Sequence, residues 1–170
     1  RFTPLKRLGG LHDGSAVIAN RVSLAVKGAL PQGATFTFGE IVAVTDTDDA
    51  IIQRVRAHTS EGSLLQIAAN TELPEPIYLY RASSALDAAE FARTQIRVGN
   101  HAKATIVMEN AGDTLLAEDL EIIVEPGAHL TFIALQEWGA KTIHAARHHA
   151  VVDRDATFTS VVVTVGGDVV

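Results

Sequence analysis

Two groups of side chains in this sequence have types and spacings that could do chemistry. His144, His148 and His149 lie near Asp153 and Asp155, and imidazole with carboxylate is a ligand set suited to iron or zinc. On a strand, His144 and His148 share one face while His149 points to the other, so the three do not converge on one ion. The plainer reading, a solvated return segment, is favoured. Glu118, Asp119 and Glu121 offer paired carboxylates of the kind glycoside hydrolysis uses. Acidic residues at a coil corner are more simply expected to be solvated.

Other candidates are weaker. The segment EPGAHLTF at 125–132 lacks the paired His-x-His and following Glu of a cupin metal site. Ser63, Ser83 and Ser160 have no nucleophile elbow around them. Gly9-Gly10-Leu11 has no preceding strand and no following Lys-Ser/Thr, so it is not a phosphate loop. Cysteine is absent, which excludes disulfides, a thiol nucleophile and thiolate ligands from this chain. A net charge of -6 argues against nucleic acid, whose binding draws on a basic face. No apolar run approaches the ~18 residues of a membrane span, and a cytoplasmic location is expected.

The elements that must position these groups are strands of one repeated pattern. Aligned on Leu73, Ala102, Ala128 and Ala156, four segments match without a gap at spacings of 29, 26 and 28 residues. Before each turn stand Ile67/Ala69, Ile96/Val98, Ile122/Val124 and Ala150/Val152. After it, one face carries Ile77/Leu79, Ala104/Ile106/Met108, Leu130/Phe132/Ala134 and Phe158/Ser160/Val162. The turns NTE, GNH, EPG and DRD use residues that tolerate bends. Thr105, Thr131 and Thr159 fall on the opposite face. Alternation at period two reads as strands, and its recurrence reads as stacked coils of a β-solenoid. Hydrophobic content of 47% with only 5% aromatics suits tightly stacked aliphatic coils.

Residues 1–15 are read as an N-terminal arm and 16–170 as the solenoid core. Ala34, in PQGAT, is read as a degenerate earlier coil, and Thr35–Val44 as strands broken at Gly39-Glu40. Asp46–His58 is read as a helical insertion over an edge of the stack, capped by Asp46 or Thr47. Ser83–Glu90 is expected to form a helical turn, and Asn110–Asp119 a loose return. The final VVVTVGGDVV carries no polar cap, which a solenoid needs at its last edge. The stack is therefore expected to continue beyond residue 170, and its exposed strands to self-associate. The flat β-branched face, with Thr105, Thr131, Thr159, Val161, Val163 and Val165, is the expected interface.

Three stretches carry a family resemblance: RFTPL at 1–5, LEIIVEPGAHLTFIALQEW at 120–138, and RDATFTSVVVTVGGDVV at 154–170. In order and spacing they resemble the SufB–SufD family of iron–sulfur cluster assembly proteins, nearer its SufD branch. The family's leading Trp before RFTPL is missing here. The resemblance implies a right-handed parallel β-helix, truncated here at its C-terminal end. It implies a non-enzymatic scaffold that pairs with a SufB-like paralogue and a SufC-like ATPase. It implies a cluster belonging to the parent complex, with no cofactor, catalytic residue or metal ligand carried onto this chain. The runner-up is a β-helix carbohydrate-active enzyme or a cupin-like metal-binding protein.

Overall fold

β-Branched and small residues alternating at period two fold here into paired strands, with polar turns between them. The computed structural model describes residues 4–21 and 24–170. Near the N-terminus are β1 (Ile18–Arg21), β2 (Ala25–Lys27), β3 (Ala34–Glu40) and α1 (Ala50–His58). Four coils follow, each of two strands: β4 (Glu61–Ile67) with β5 (Ile77–Ser83), and β6 (Ala89–Val98) with β7 (Lys103–Gly112). Next come β8 (Leu115–Val124) with β9 (His129–Trp138), and β10 (Ile143–Val152) with β11 (Thr157–Gly166). One sheet runs β10-β8-β6-β4-β3 and the other β11-β9-β7-β5-β2. All pairs among β4–β11 are parallel. This is a β-solenoid of about four turns with one short helix.

The stacking expected from the repeat is present. Ala104 pairs with Leu130 and Leu130 with Phe158, while Thr105, Thr131 and Thr159 stand side by side. The apolar columns close between the sheets into one core around Ile96, Ile106, Ile122 and Phe132. The corners repeat as well. His101, Gly127 and Asp155, the third residue of each of three turns, all take positive φ, a conformation that Gly, Asn, Asp and His tolerate best. In the first coil Asn70 takes that role. There the register departs from the gap-free alignment: Ile67 lies beside Val98 rather than Ile96, whereas Ile77 lies beside Ile106 as expected. The first corner holds two more residues, and the proline-containing loop absorbs them.

Several local expectations are corrected. Asn110–Asp119 is not a loose return: β7 runs to Gly112 and β8 begins at Leu115. Ser83–Glu90 forms no helical turn, because β5 ends and β6 begins within it. β3 continues through Gly39-Glu40 and lies antiparallel to β4, so Ala34 does not open an earlier parallel coil. β2 is likewise antiparallel to β5. The helix starts at Ala50 and is capped by Asp49, whose carboxylate accepts from the Ile51 and Ile52 amides. It lies across β6 and β8, a face and not an edge. Val55 packs there with Leu11, Phe91 and Ala117. Asp49→Ala is expected to cost about 1 kcal/mol through the lost cap, read as a lower midpoint in urea denaturation.

Candidate functional site

The first feature is inside the solenoid. Along β5, β7, β9 and β11 the inward positions are apolar at first, apart from Ser160 on β11, and then turn polar. Arg81, Asn110, Gln136 and Thr164 occupy equivalent places on neighbouring strands. Arg81 Nη1 donates to Asn110 Oδ1 at 3.2 Å, and the Thr164 hydroxyl donates to Gln136 Oε1 at 2.8 Å. Facing them from β8 is Glu118, in phase with the core residues Leu120 and Ile122. Glu118 is fully buried and lies 2.8 Å from Arg81 Nη1. Its other oxygen is 3.4 Å from His144 Nε2. The ions touch, yet neither Glu118 oxygen has an aligned hydrogen bond. The contact is therefore chiefly electrostatic.

Burial alone would push the Glu118 pKa up. Arg81, then His144 and His148, outweigh it and hold the carboxyl well below its ordinary value. Burial pushes His148 the other way for a base, lowering its pKa despite the attraction of Glu118. His144 packs edge-on against Trp138, with ring centroids 4.9 Å apart, and His148 meets Phe132 at 6.0 Å. A cavity of about 360 Å³ at this end is lined by Gln136, His144, His148, Val162 and Thr164 among others.

The second feature is the covering of the first sheet. Asp119 and Glu121, on the outward phase of β8, are also buried. Arg56 of α1 reaches both, Nε to Asp119 at 2.7 Å and Nη2 to Glu121 at 3.0 Å. Arg147 of β10 adds contacts to Asp119 and to the Thr45 hydroxyl. Burial would lower the Arg56 pKa, but Asp119 and Glu121 raise it above its ordinary value. These ion pairs pin the segment 41–58 to the sheet.

The third feature is the outer face of the second sheet. Thr105, Thr131 and Thr159 form its hydroxyl row, lining a shallow groove of about 390 Å³ with Lys103 and His129. Val161, Val163 and Val165 continue the face on β11, each at least 44% exposed.

The sequence-based candidates are thus sorted. Glu118, Asp119 and Glu121 are not solvated corner residues; they are buried mid-strand, one inside the solenoid and two beneath α1. His144 and His148 share a face as expected, but on β10 and towards the lumen, not on a return segment. His149 belongs to the opposite phase. Among the described residues no three His, Asp or Glu side chains group to hold a metal ion. The six interface candidates do share one outer face. Sequence reasoning missed Arg81, Asn110, Gln136 and Arg56. The signal for three of them was present, since the repeat alignment carried two residues further gives Arg81, Asn110, Gln136 and Thr164 in one column.

Comparison with known proteins agrees with this architecture. The family described as SUF system FeS cluster assembly, SufBD core domain, matches residues 80–170, the span of β6–β11 where the coils are most regular. A Mycobacterium leprae protein described as an iron–sulfur cluster assembly SufBD family protein is 31% identical over 178 residues, covering all of this chain and 44% of the relative. A Mycobacterium tuberculosis protein of the same description is 28% identical over 173 residues, with the same coverage. The chain thus spans less than half the length of these relatives. No solved structure matches it. Of the N-terminal motif, Arg1, Phe2 and Thr3 lie outside the described residues. With the parallel coils and the match over more than half of its residues, the chain belongs to the SufBD family of iron–sulfur cluster assembly proteins.

Proposed function

We propose that this chain supplies a β-solenoid scaffold to an iron–sulfur cluster assembly complex of the SufB–SufC–SufD type. In this reading it acts in the cytoplasm through protein contacts, on the SufD side of the complex, and is not itself an enzyme. It holds no cofactor of its own; the cluster belongs to the complex. Its partners are a SufB-like paralogue and a SufC-like ATPase. The observation that carries the reading is the flat outer face of the second sheet. There the half-buried Thr105 and Thr131 stand in register with the exposed Thr159, and Val161, Val163 and Val165 continue the face, exposed, along β11, while the chain's own helix covers the other sheet. An exposed, regular β-branched face is suited to packing against another protein. No helix of the described residues is long and apolar enough to cross a membrane.

The test is anaerobic affinity purification of the full-length parent protein from its own cell extract, with the recovered proteins identified. Recovery of an ABC-type ATPase and a cysteine-containing β-solenoid paralogue is the expected result. The Val161→Asp, Val163→Asp double variant is expected to lose the paralogue at least tenfold. Recovery of neither protein, with stoichiometric metal on the 170-residue chain, would sink the reading.

A further inference from the structure

Residues 41–45, between β3 and α1, belong to neither helix nor strand, and the sheet beneath them grips their main chain. Arg93 Nη1 of β6 donates to the Ile41 carbonyl at 3.0 Å, and Gln95 Nε2 donates to the Val42 carbonyl at 3.1 Å. The Val44 amide donates to both carboxylate oxygens of Glu121 on β8, each at 3.2 Å. Arg56 Nη1 donates to the Thr45 carbonyl at 2.6 Å, and Arg147 Nη2 of β10 to the Thr45 hydroxyl at 3.0 Å. Arg93 stands beside Asp119 and Gln95 beside Glu121 on neighbouring strands. This face is interior to the sheet, on β6 and β8, with β4 on one side and β10 on the other.

The side chains of the gripped segment add little to this hold. Val42 is 76% exposed, and Ala43 and Val44 also face solvent. Ile41 is the exception. It is buried, with its Cδ1 over Gly62, where a Cβ would lie only 2.6 Å away. The helix that follows is anchored differently, by burying Ile52 and Val55. Charge also shapes the face. Arg56, Arg93 and Arg147 outnumber Asp119 and Glu121, which leaves a positive excess under the segment. The segment answers it by running on into the exposed Asp46, Asp48 and Asp49, and Asp46 adds to the attraction on Arg56.

We propose that this face of β6, β8 and β10 is a binding site for a short non-helical peptide segment, filled in cis by residues 41–45 and open to exchange with a segment of a partner protein. The carbonyls and the amide that it grips belong to every peptide, so the cis segment has no exclusive claim on them. Bonds from a guanidinium to a carbonyl and from an amide to a carboxylate are charge-assisted and among the stronger kinds. Main-chain bonds of this sort supply affinity, and side-chain pockets supply specificity. The partner segment therefore carries an apolar residue for the Gly62 pocket, a free N–H three residues later for Glu121, and acidic residues beyond. During exchange α1 stays docked through Ile52 and Val55. The site is independent of the scaffold reading and of whatever packs on the second sheet.

The test uses the full-length parent protein with Val44→Pro, which removes the N–H that Glu121 accepts and leaves the face itself intact. A fluorescent peptide of residues 40–49, EIVAVTDTDD, is titrated against it by anisotropy. Saturable binding is expected. On the unmutated protein it should be at least about tenfold weaker, because apparent affinity falls with the fraction of open sites. A Val42→Ser, Val44→Ser peptide should bind as well as the native one, a Val44→Pro peptide should not bind, and Asn in place of the aspartates should weaken binding. A second measurement needs no protein variant: hydrogen exchange at the Val44 amide of the unmutated protein should speed up in excess peptide. Four results would each overturn the site: no binding to the Val44→Pro protein, equal binding of the Val44→Pro peptide, equal affinity for the two proteins, or Val44 protection unmoved by excess peptide.

Discussion

Replacing Glu118 with alanine is expected to destabilise the chain by about 3–5 kcal/mol, the usual cost of stranding one member of a buried ion pair. Arg81 is 1% exposed, and without Glu118 its remaining contact from the inward polar column is the 3.2 Å bond to Asn110. Water cannot rescue it without opening the core. The effect should appear as a lower urea midpoint with an unchanged slope, since the surface exposed on unfolding is the same. Arg81→Met combined with Glu118→Leu is the informative control. Replacing both charges by apolar groups of similar volume is often neutral, so the double variant should recover most of the loss. If it is as unstable as Glu118→Ala alone, the pair is not what holds the lumen together. The pH dependence has a definite sign. The folded carboxyl sits below its ordinary value of 4.5, so its contribution is complete above that pH and is lost as pH falls towards the folded value. The double variant should lose less stability on acidification than the parent chain.

Gly112→Ala should have a comparable effect for a different reason. Gly112 closes β7 at φ +110°, and a Cβ there would lie 1.8 Å from the Ser83 carbonyl oxygen on the neighbouring strand. Backbone strain of about 1–3 kcal/mol adds to overpacking of about 1–3 kcal/mol. The expected loss is therefore on the order of 2–6 kcal/mol. The next strand places Trp138 beside Gly112, and the strand after that places Gly166 beside Trp138. The two glycines thus stand on either side of Trp138 in the sheet. Gly28 separates the two contributions. Its φ is +83° but nothing lies within 4 Å of its Cβ position. Gly28→Ala should thus cost only about 1–2 kcal/mol of conformational energy. Equal losses at the two sites, measured by urea denaturation, would mean that the Ser83 contact relaxes freely.

The fold was legible because a solenoid writes its geometry into the sequence as repetition. Thr105, Thr131 and Thr159 were placed on one face from spacing alone, and they do stand side by side. The register of the first corner was not legible. Two extra residues in a loop leave the alternation on both sides intact, so a gap-free alignment hides them. Segments 83–90 and 110–119 were misread because local composition outweighed period. Ala-rich SSALDAAE favours helix by propensity, yet parallel pairing with β8 makes Ala89 and Glu90 strand. The site was less visible than the fold. Acidic residues in a row usually mark solvent, and nothing local announces that Arg81 crosses the lumen to Glu118 or that Arg56 folds over Asp119 and Glu121. These partners lie 37, 63 and 65 positions apart. A tertiary pairing of that range has no period to betray it.

The antiparallel strands at the start of the stack carry a consequence for how such a chain can change its length. A parallel ladder offers its next layer a slanted set of donors and acceptors, and β3 answers β4 with the opposite direction. No further parallel coil can be templated on that side without displacing β3. A further coil can therefore join this architecture only at a parallel edge, in whole-coil increments of about the 26–28 residues that separate neighbouring coils here. An insertion of any other size must be extruded at a corner, as the two surplus residues of the first coil already are.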